Sequence, residues 1–219
     1  MSKTDTRPNL IGFRIAHRTM RGDSRLLSRA ISAIADGSEP CDRNRAEAVR
    51  EYVAKSCTGI HHHHRLEDEL LWPLLERSAG AAVDLSELTE DHSQLDPMLD
   101  EITEAAREFT RDRTVAPRLA KSLGALADLL DEHIEEEERT IFPIIDEYVS
   151  VKDWDELEAE VRRTGDARFE LPRIERYARP EELAALRKAA GPVLVMMLAL
   201  LRPGFRRRHR LVFGSLSDA

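Results

Sequence analysis

Residues 63–73 read HHRLEDELLWP, and residues 133–143 read HIEEEERTIFP. Each segment contains a His, a Glu four residues later, and then an aromatic residue followed by Pro. Because about one helical turn separates the His from the Glu, both side chains of a pair can point at the same volume. For this composition the string should follow a given His by chance roughly once in two thousand cases, so its repetition predicts a shared functional site.

Apolar residues at alternating spacings of three and four precede residue 150 in four runs, and this pattern predicts helices packed in a bundle. The runs span residues 10–34, 46–74, 85–109 and 123–148. Short polar connections favour an all-α fold, an up-down-up-down four-helix bundle over residues 1–150. Residues 151–219 are expected to form a C-terminal helical extension that packs on the bundle, with helices near residues 153–165 and 180–191.

The composition excludes several classes of protein. A net charge of −8 makes nucleic acid an unfavourable partner, because an acidic surface repels phosphate. Two cysteines are too few for a disulfide scaffold, and the first ten residues lack an apolar signal region, so we expect a cytoplasmic protein. The longest apolar run, Ala189–Leu201, gives a helix of about 20 Å against a bilayer core of about 30 Å, so no transmembrane segment is expected.

The arginine-rich tail that follows this run allows two interpretations. The favoured one is that Ala189–Leu201 caps the bundle, while the arginines after it and His209 remain solvated. The alternative is peripheral contact of the tail with a membrane surface.

Each of the four apolar runs is interrupted by polar residues at core positions. These residues are His17, His63, Glu67, His92, His133 and Glu137. A buried polar side chain costs about 1–3 kcal/mol unless something satisfies it. Four imidazoles and two carboxylates suit iron, manganese or zinc, and two shared carboxylates would offset the repulsion between two cations. A ferritin-like site is excluded because no Glu lies three residues before any His.

The same residues resemble the hemerythrin-like, or HHE cation-binding, family over about Leu10–Tyr148. The resemblance rests on the two quoted segments, on IAHRTM around His17 and on EDHSQLD around His92. It implies two non-haem iron ions bridged by carboxylates, with an oxo bridge as a further option. By this analogy His17 and His63 bind one iron, His92 and His133 bind the other, and Glu67 and Glu137 bridge them.

One position departs from the oxygen-carrying members of the family. Those proteins have a second His one turn after the ligand of the third helix, and here that position is Asp96. The loss of a fifth imidazole leaves Asp96, water or an exogenous ligand to complete the coordination. Reversible oxygen carriage therefore does not follow from the resemblance alone.

The four consecutive histidines, His61–His64, do not predict a broad metal-binding tract. Successive helical positions differ by about 100°, so only one or two of them can face inward. We expect His63 alone to be a ligand, with His62 and His64 at the boundary or surface. Asp68 and Glu138 are candidates for orienting ligands from outside the metal layer.

Three functional hypotheses remain open at this stage. The first is a di-iron protein that binds oxygen, nitric oxide or peroxide as a carrier, sensor or scavenger. The second is an enzyme, either catalase-like in disproportionating peroxide or a di-iron oxidase. The third is an interaction module in which the metal only stabilises the bundle. The apolar interior favours small ligands over large polar substrates. Oligomeric state is not specified by the sequence.

Overall fold

The computed structural model describes residues 7–80 and 83–218. Their regular structure is entirely helical, which confirms the all-α prediction. The first five helices are α1 (Ile11–Ala35), α2 (Arg43–Leu66), α3 (Trp72–Ala79), α4 (Ser86–Phe109) and α5 (Ala116–Tyr148). The C-terminal helices are α6 (Val151–Thr164), α7 (Ala167–Tyr177) and α8 (Pro180–Phe213). A π-helical turn, Glu67–Leu71, joins α2 to α3, and short 3₁₀ turns occupy Arg113–Val115 and Gly214–Asp218.

Side-chain caps begin several of these helices. The Asp42 carboxylate accepts the Arg45 N–H at the start of α2, and the Ser150 hydroxyl accepts the Asp153 N–H at the start of α6. Such caps satisfy amide groups that the first turn of a helix leaves without partners. Asp166 caps α7 in the same way, so α7 has a local start signal that the sequence prediction for the extension did not use.

The bundle core consists of two apolar clusters with a polar layer between them. Helix α1 packs along α5, and α4 contacts both α2 and α5. The larger cluster includes Leu27, Val53 and Leu99, and the smaller one includes Leu75 and Ile145. On each long helix the predicted ligands fall between the residues of the two clusters. The polar layer is therefore shielded by apolar packing on both sides.

The C-terminal helices contact the bundle through large apolar side chains. Trp154 on α6 is 1% exposed, lies in the smaller cluster and donates its indole N–H to the Asn9 carbonyl at 3.1 Å. Phe169 on α7 and Phe213 on α8 belong to the larger cluster. The core of the bundle thus includes residues from beyond position 150.

A buried polar network fastens α7 to α1 and α2. The Asp23 carboxylate accepts hydrogen bonds from Tyr52 Oη at 2.6 Å, Tyr177 Oη at 2.7 Å and Arg173 Nε at 2.6 Å. The Asp23 and Arg173 side chains are 2% and 3% exposed. Burial and the neighbouring Asp23 raise the pKa of both Tyr52 and Tyr177, so both phenols stay protonated as donors.

Two expectations for the C-terminal tail are corrected. Within Ala189–Leu201 only Leu198 is buried, so this run does not cap the bundle. The reason is a break at Gly191 (φ 65°, ψ −160°), after which α8 turns one side to the protein and the other to solvent. His209 is 3% exposed rather than solvated, because its ring packs 4.3 Å from Phe213, one turn further along the helix.

Replacement of Asp23 should strongly destabilise the protein. We expect Asp23→Ala to lower the free energy of unfolding by about 3–5 kcal/mol, because the Arg173 guanidinium would stay buried without this partner. The matched control is Asp128→Ala, which removes a carboxylate that is 66% exposed and paired with Arg25, at a cost of about 1 kcal/mol or less. Urea denaturation measures both, and equal effects would contradict a buried network.

Candidate metal centre

Seven side chains with metal-binding atoms converge in the polar layer as two adjacent groups. The two-histidine cluster consists of His17, His63, Glu67 and Glu137. The three-histidine cluster consists of His64, His92 and His133. Within each cluster one candidate ligand atom from every residue lies within 4.8 Å of the others. The structure thus brings together all six residues proposed from the sequence as main ligands and adds His64.

The two-histidine cluster is built by α1, by the junction of α2 with the π-helical turn, and by α5. His63 Nε2 lies 2.8 Å from Glu67 Oε1, one turn further along the chain. His17 Nε2 lies 3.2 Å from His63 Nε2 and 3.3 Å from Glu137 Oε2. Three helical segments therefore direct nitrogen and oxygen atoms at one small volume.

The two carboxylates lie between the clusters. Glu67 places Oε1 near His63, while its Oε2 is 3.6 Å from His92 Nε2 in the three-histidine cluster. Glu137 Oε2 is 3.3 Å from His17 Nε2 and 3.9 Å from His133 Nε2. Each carboxylate can thus interact with a cation in either cluster, as a bridging ligand must.

Three of the imidazoles are oriented by carboxylates outside the polar layer. The Nδ1 atoms lie 2.9 Å from Glu138 Oε1 for His17, 3.0 Å from Asp68 Oδ1 for His92, and 3.2 Å from Asp91 Oδ2 for His133. An Nδ1–H that donates to a carboxylate leaves the Nε2 lone pair free to bind a metal. The geometry supports the orienting roles expected for Asp68 and Glu138, and it adds Asp91.

Most of the inward-facing atoms have no hydrogen-bond partner within the protein. They are both carboxylate oxygens of Glu67 and Glu137, both ring nitrogens of His64, and Nε2 of His92 and His133. The short distance between His63 Nε2 and Glu67 Oε1 is a close approach without the angles of a hydrogen bond. A buried polar atom left unsatisfied costs about 1–3 kcal/mol, so this concentration in one layer needs another partner. Imidazole nitrogens and carboxylate oxygens are a donor set for iron, manganese or zinc. The residues present therefore fit a metal centre.

His64 corrects the expectation that His63 would be the only inward member of the histidine run. It is 2% exposed, and its ring stacks on His92 with 4.2 Å between centroids. That expectation assumed that only one direction around α2 is inward, whereas α2 faces the boundary between two adjacent clusters. Neighbouring residues about 100° apart can then point to one cluster each. His62 is half-buried and contacts Thr164 Oγ1 at 3.1 Å, outside both clusters.

Asp96 is not part of the centre. Its side chain is 53% exposed, and Oδ1 lies 2.9 Å from His61 Nδ1 at the surface. The buried residues of α4 in this region are His92, Leu95 and Leu99, and Asp96 lies at the edge of that stripe. The geometry therefore does not support Asp96 as an additional ligand. A fifth imidazole is nevertheless present among the converging side chains, because His64 on α2 lies with His92 and His133.

The π-helical turn begins at a candidate ligand. Here the Trp72 N–H bonds to the Glu67 carbonyl, five residues earlier, and Pro73 follows without an N–H of its own. Single π-helical turns are frequent at functional sites, since they change the direction of the residues that follow. This turn carries Asp68, whose carboxylate holds His92. Pro73 of the first repeated segment is a local sequence signal for this irregular turn. Pro143, at the matching position of the second segment, lies inside the continuous helix α5.

Burial sets the charge states of the cluster residues. It lowers the pKa of His63 to about 3, with further lowering by His92 and His62, and it lowers the pKa of His133 to about 4. Burial raises the pKa of Glu67, and burial together with the nearby Glu67 raises that of Glu137. Burial and the neighbouring histidines also lower the pKa of His64, so without a metal His63, His64 and His133 are neutral and the two carboxyl groups tend to keep protons.

These features define a helical metal-binding protein, and comparison with known proteins places it in a family. The model of the hemerythrin HHE cation binding domain matches residues 13–145. The chain belongs to this family. No curated protein and no solved structure gives a significant match to the chain.

Substitution of His64 tests the enlarged ligand set. We expect His64→Ala to lower the metal content of reconstituted protein about as much as His133→Ala, because each removes an imidazole from the three-histidine cluster. His62→Ala is the matched control and should leave the metal content nearly unchanged. Elemental analysis of the purified variants gives the readout. Full metal loading in His64→Ala would restrict the site to the six residues proposed from the sequence.

Metal removal should destabilise the fold, and increasingly so as the pH rises through the raised pKa values of Glu67 and Glu137. Because the folded-state pKa values of Glu67 and Glu137 lie above their unfolded values, the stability from their protonation is present at low pH and is lost as the pH rises through them. Above about pH 7 His63, His64 and His133 are neutral in the folded state and largely neutral in the unfolded state, so they add little pH dependence.

Melting temperatures of metal-loaded and chelated protein, measured across this pH range, give the comparison. The Glu67→Gln/Glu137→Gln variant should lose the pH dependence in its metal-free form, since its two amides do not titrate. A gap between loaded and chelated protein that narrows with rising pH would count against buried, protonated carboxyl groups.

Proposed function

We propose that this protein holds a non-haem di-iron centre that binds or reacts with a small ligand such as oxygen, nitric oxide or peroxide. The observation that carries the proposal is the pair of carboxylates, Glu67 and Glu137, buried between two groups of imidazoles, with the oxygens of both carboxylates and the inward nitrogens of the three-histidine cluster left without hydrogen-bond partners in the protein. Iron is the metal typical of the family, and two iron ions would supply electrons and an open coordination position.

The two clusters differ in the number of imidazoles they offer. His64, His92 and His133 provide three on one side, while His17 and His63 provide two on the other. With the carboxylates shared, the two-histidine cluster has one protein ligand fewer. We therefore assign the small-ligand position to this cluster.

The surroundings of the two-histidine cluster restrict the size and polarity of the ligand. The Phe13 ring lies 4.5 Å from the ring of His17 and 5.6 Å from that of His63, and Phe142 stacks on His17 at 6.2 Å. Aromatic rings make this side of the cluster largely apolar and offer no polar group to a large organic substrate. A diatomic molecule or peroxide is the class of ligand that such a position accepts.

The charged residues around the centre maintain this arrangement. Glu138 holds Nδ1 of His17, so the ring presents Nε2 to the interior, and Arg14 lies over the Phe142 ring at 4.2 Å. Glu138 is only partly buried, with 29% of its side chain exposed. It therefore provides a hydrogen-bonded link between His17 and solvent along which a proton can be exchanged.

Anaerobic reconstitution with ferrous iron tests the proposal. We expect about two iron ions per chain and, after exposure to air or peroxide, a visible charge-transfer absorption, because the seven donors form two positions sharing two carboxylates. Glu137→Ala should reduce both signals, while Glu136→Ala, on the outer side of α5, should reduce neither. An iron-free chain after reconstitution would contradict the proposal.

The same sample separates the remaining functional hypotheses. Absorption that reverses under vacuum indicates a carrier, and rapid gas evolution from peroxide indicates a catalase-like enzyme. Iron that responds to none of the three ligands indicates a centre that only stabilises the bundle.

A further inference from the structure

Helix α8 exposes an apolar surface after its break at Gly191. Val193 and Met196 are each 58% exposed, and Leu200 is 74% exposed. Their spacing of three and four residues places them on one side of the helix. We call these three residues the apolar stripe. Large apolar side chains grouped on one helix face mark an interaction surface more often than ones scattered singly.

The opposite side of α8 is attached to the protein. Leu198 is 1% exposed, and Val212 and Phe213 reach the larger apolar cluster of the bundle. Arg202 donates to Glu175 on α7, with 2.7 Å between Nε and Oε2. These contacts fix the orientation of the helix, so the apolar stripe is held outward and cannot turn inward without loss of the packing behind it.

A group of arginines follows the apolar stripe along α8. Arg206, Arg207, Arg208 and Arg210 are all exposed. Within residues 7–80 and 83–218 none of the four has an acidic partner, whereas Arg202 on the same helix is paired. Helical spacing places Arg207 in line with Leu200 and Arg208 beside it. This concentration of positive charge occurs in a chain whose net charge is −8.

We propose that α8 attaches the protein to the surface of an anionic lipid bilayer. The apolar stripe would enter the boundary between headgroups and acyl chains, and Arg207 and Arg208 would contact lipid phosphates. Apolar residues on one face with arginines beside them are typical of helices that lie in the membrane interface. The unpaired arginines favour a lipid surface over a second copy of the chain. In a symmetric dimer through this face the same positive group would meet itself, whereas anionic headgroups complement it.

The geometry favours a helix that lies on the membrane over one that crosses it. Among the described residues, Pro180–Ser217 is the helix long and apolar enough for a span by length and composition. Its apolar part is divided by the non-helical Gly191, which leaves Pro192–Leu201 as a continuous segment of about 15 Å, half of a bilayer core of about 30 Å. The buried side of this segment, at Leu198, is also already occupied by protein.

Vesicle co-sedimentation of the metal-loaded full chain tests this proposal. Binding is expected to vesicles of phosphatidylcholine mixed with phosphatidylglycerol, to weaken with added salt, and to be weak on phosphatidylcholine alone. Arg207→Gln/Arg208→Gln should lower the partition coefficient about fivefold for each arginine. Leu200→Asp should lower it at least about tenfold. The matched control is Val161→Asp, an apolar residue of α6 that is 40% exposed and should not affect binding.

Three outcomes would overturn the proposal. The first is equal sedimentation with neutral and anionic vesicles. The second is a lipid-free dimer, seen by light scattering, that Leu200→Asp converts to monomer, since the stripe would then be a subunit interface. The third is complete competition by inorganic phosphate alone, which would indicate a site for a free anion. An unchanged melting temperature in Leu200→Asp shows that the variant is folded, and none of these readouts depends on what the metal centre binds.

Discussion

Two carboxylates, Glu67 and Glu137, are buried next to each other inside an apolar bundle, and the rest of the structure depends on how their charge is neutralised. Burial raises the pKa of both groups, and Glu67 raises that of Glu137 further, so protons or cations must balance their charge. Of the five imidazoles around them, those of His63, His64 and His133 have lowered pKa values and bring no charge of their own. The polar layer therefore destabilises the core when it is empty and favours the binding of positive ions. The free energy of metal binding then contributes directly to the stability of the fold.

The scaffold keeps this layer in place by apolar packing on both sides and by carboxylates around its edge. Glu138, Asp68 and Asp91 each hold the outer nitrogen of an imidazole, and each is itself partly exposed. Ring orientation is thus fixed without burying further charge. The uneven division into two and three imidazoles then distinguishes two otherwise similar positions, and the aromatic side chains of Phe13 and Phe142 lie next to the position with fewer ligands.

The C-terminal helices belong to the same cooperative structure. Asp23 connects α1 to α7 through Arg173, and Phe213 of α8 reaches the bundle core, so the extension cannot leave without exposing both. This attachment leaves α8 with one side packed and one side free. The metal centre and the outward side of α8 are therefore presented by one body, and a surface-bound protein would hold its centre at a fixed orientation to that surface.

The all-α class and six of the seven converging side chains follow from the sequence, because helical periodicity and the repeated His-x3-Glu spacing are local properties of the chain. Three features needed the tertiary structure. His64 belongs to the site because α2 faces two clusters at once. The positions of side chains around one isolated helix do not reveal that there are two clusters. Asp96 lies one turn after His92 on α4, but its carboxylate contacts His61 on α2. A contact between two helices cannot be read from the residue spacing along one of them. The apolar run of α8 is exposed because Gly191 redirects the helix, and only the position of the neighbouring helices decides which of its sides is buried.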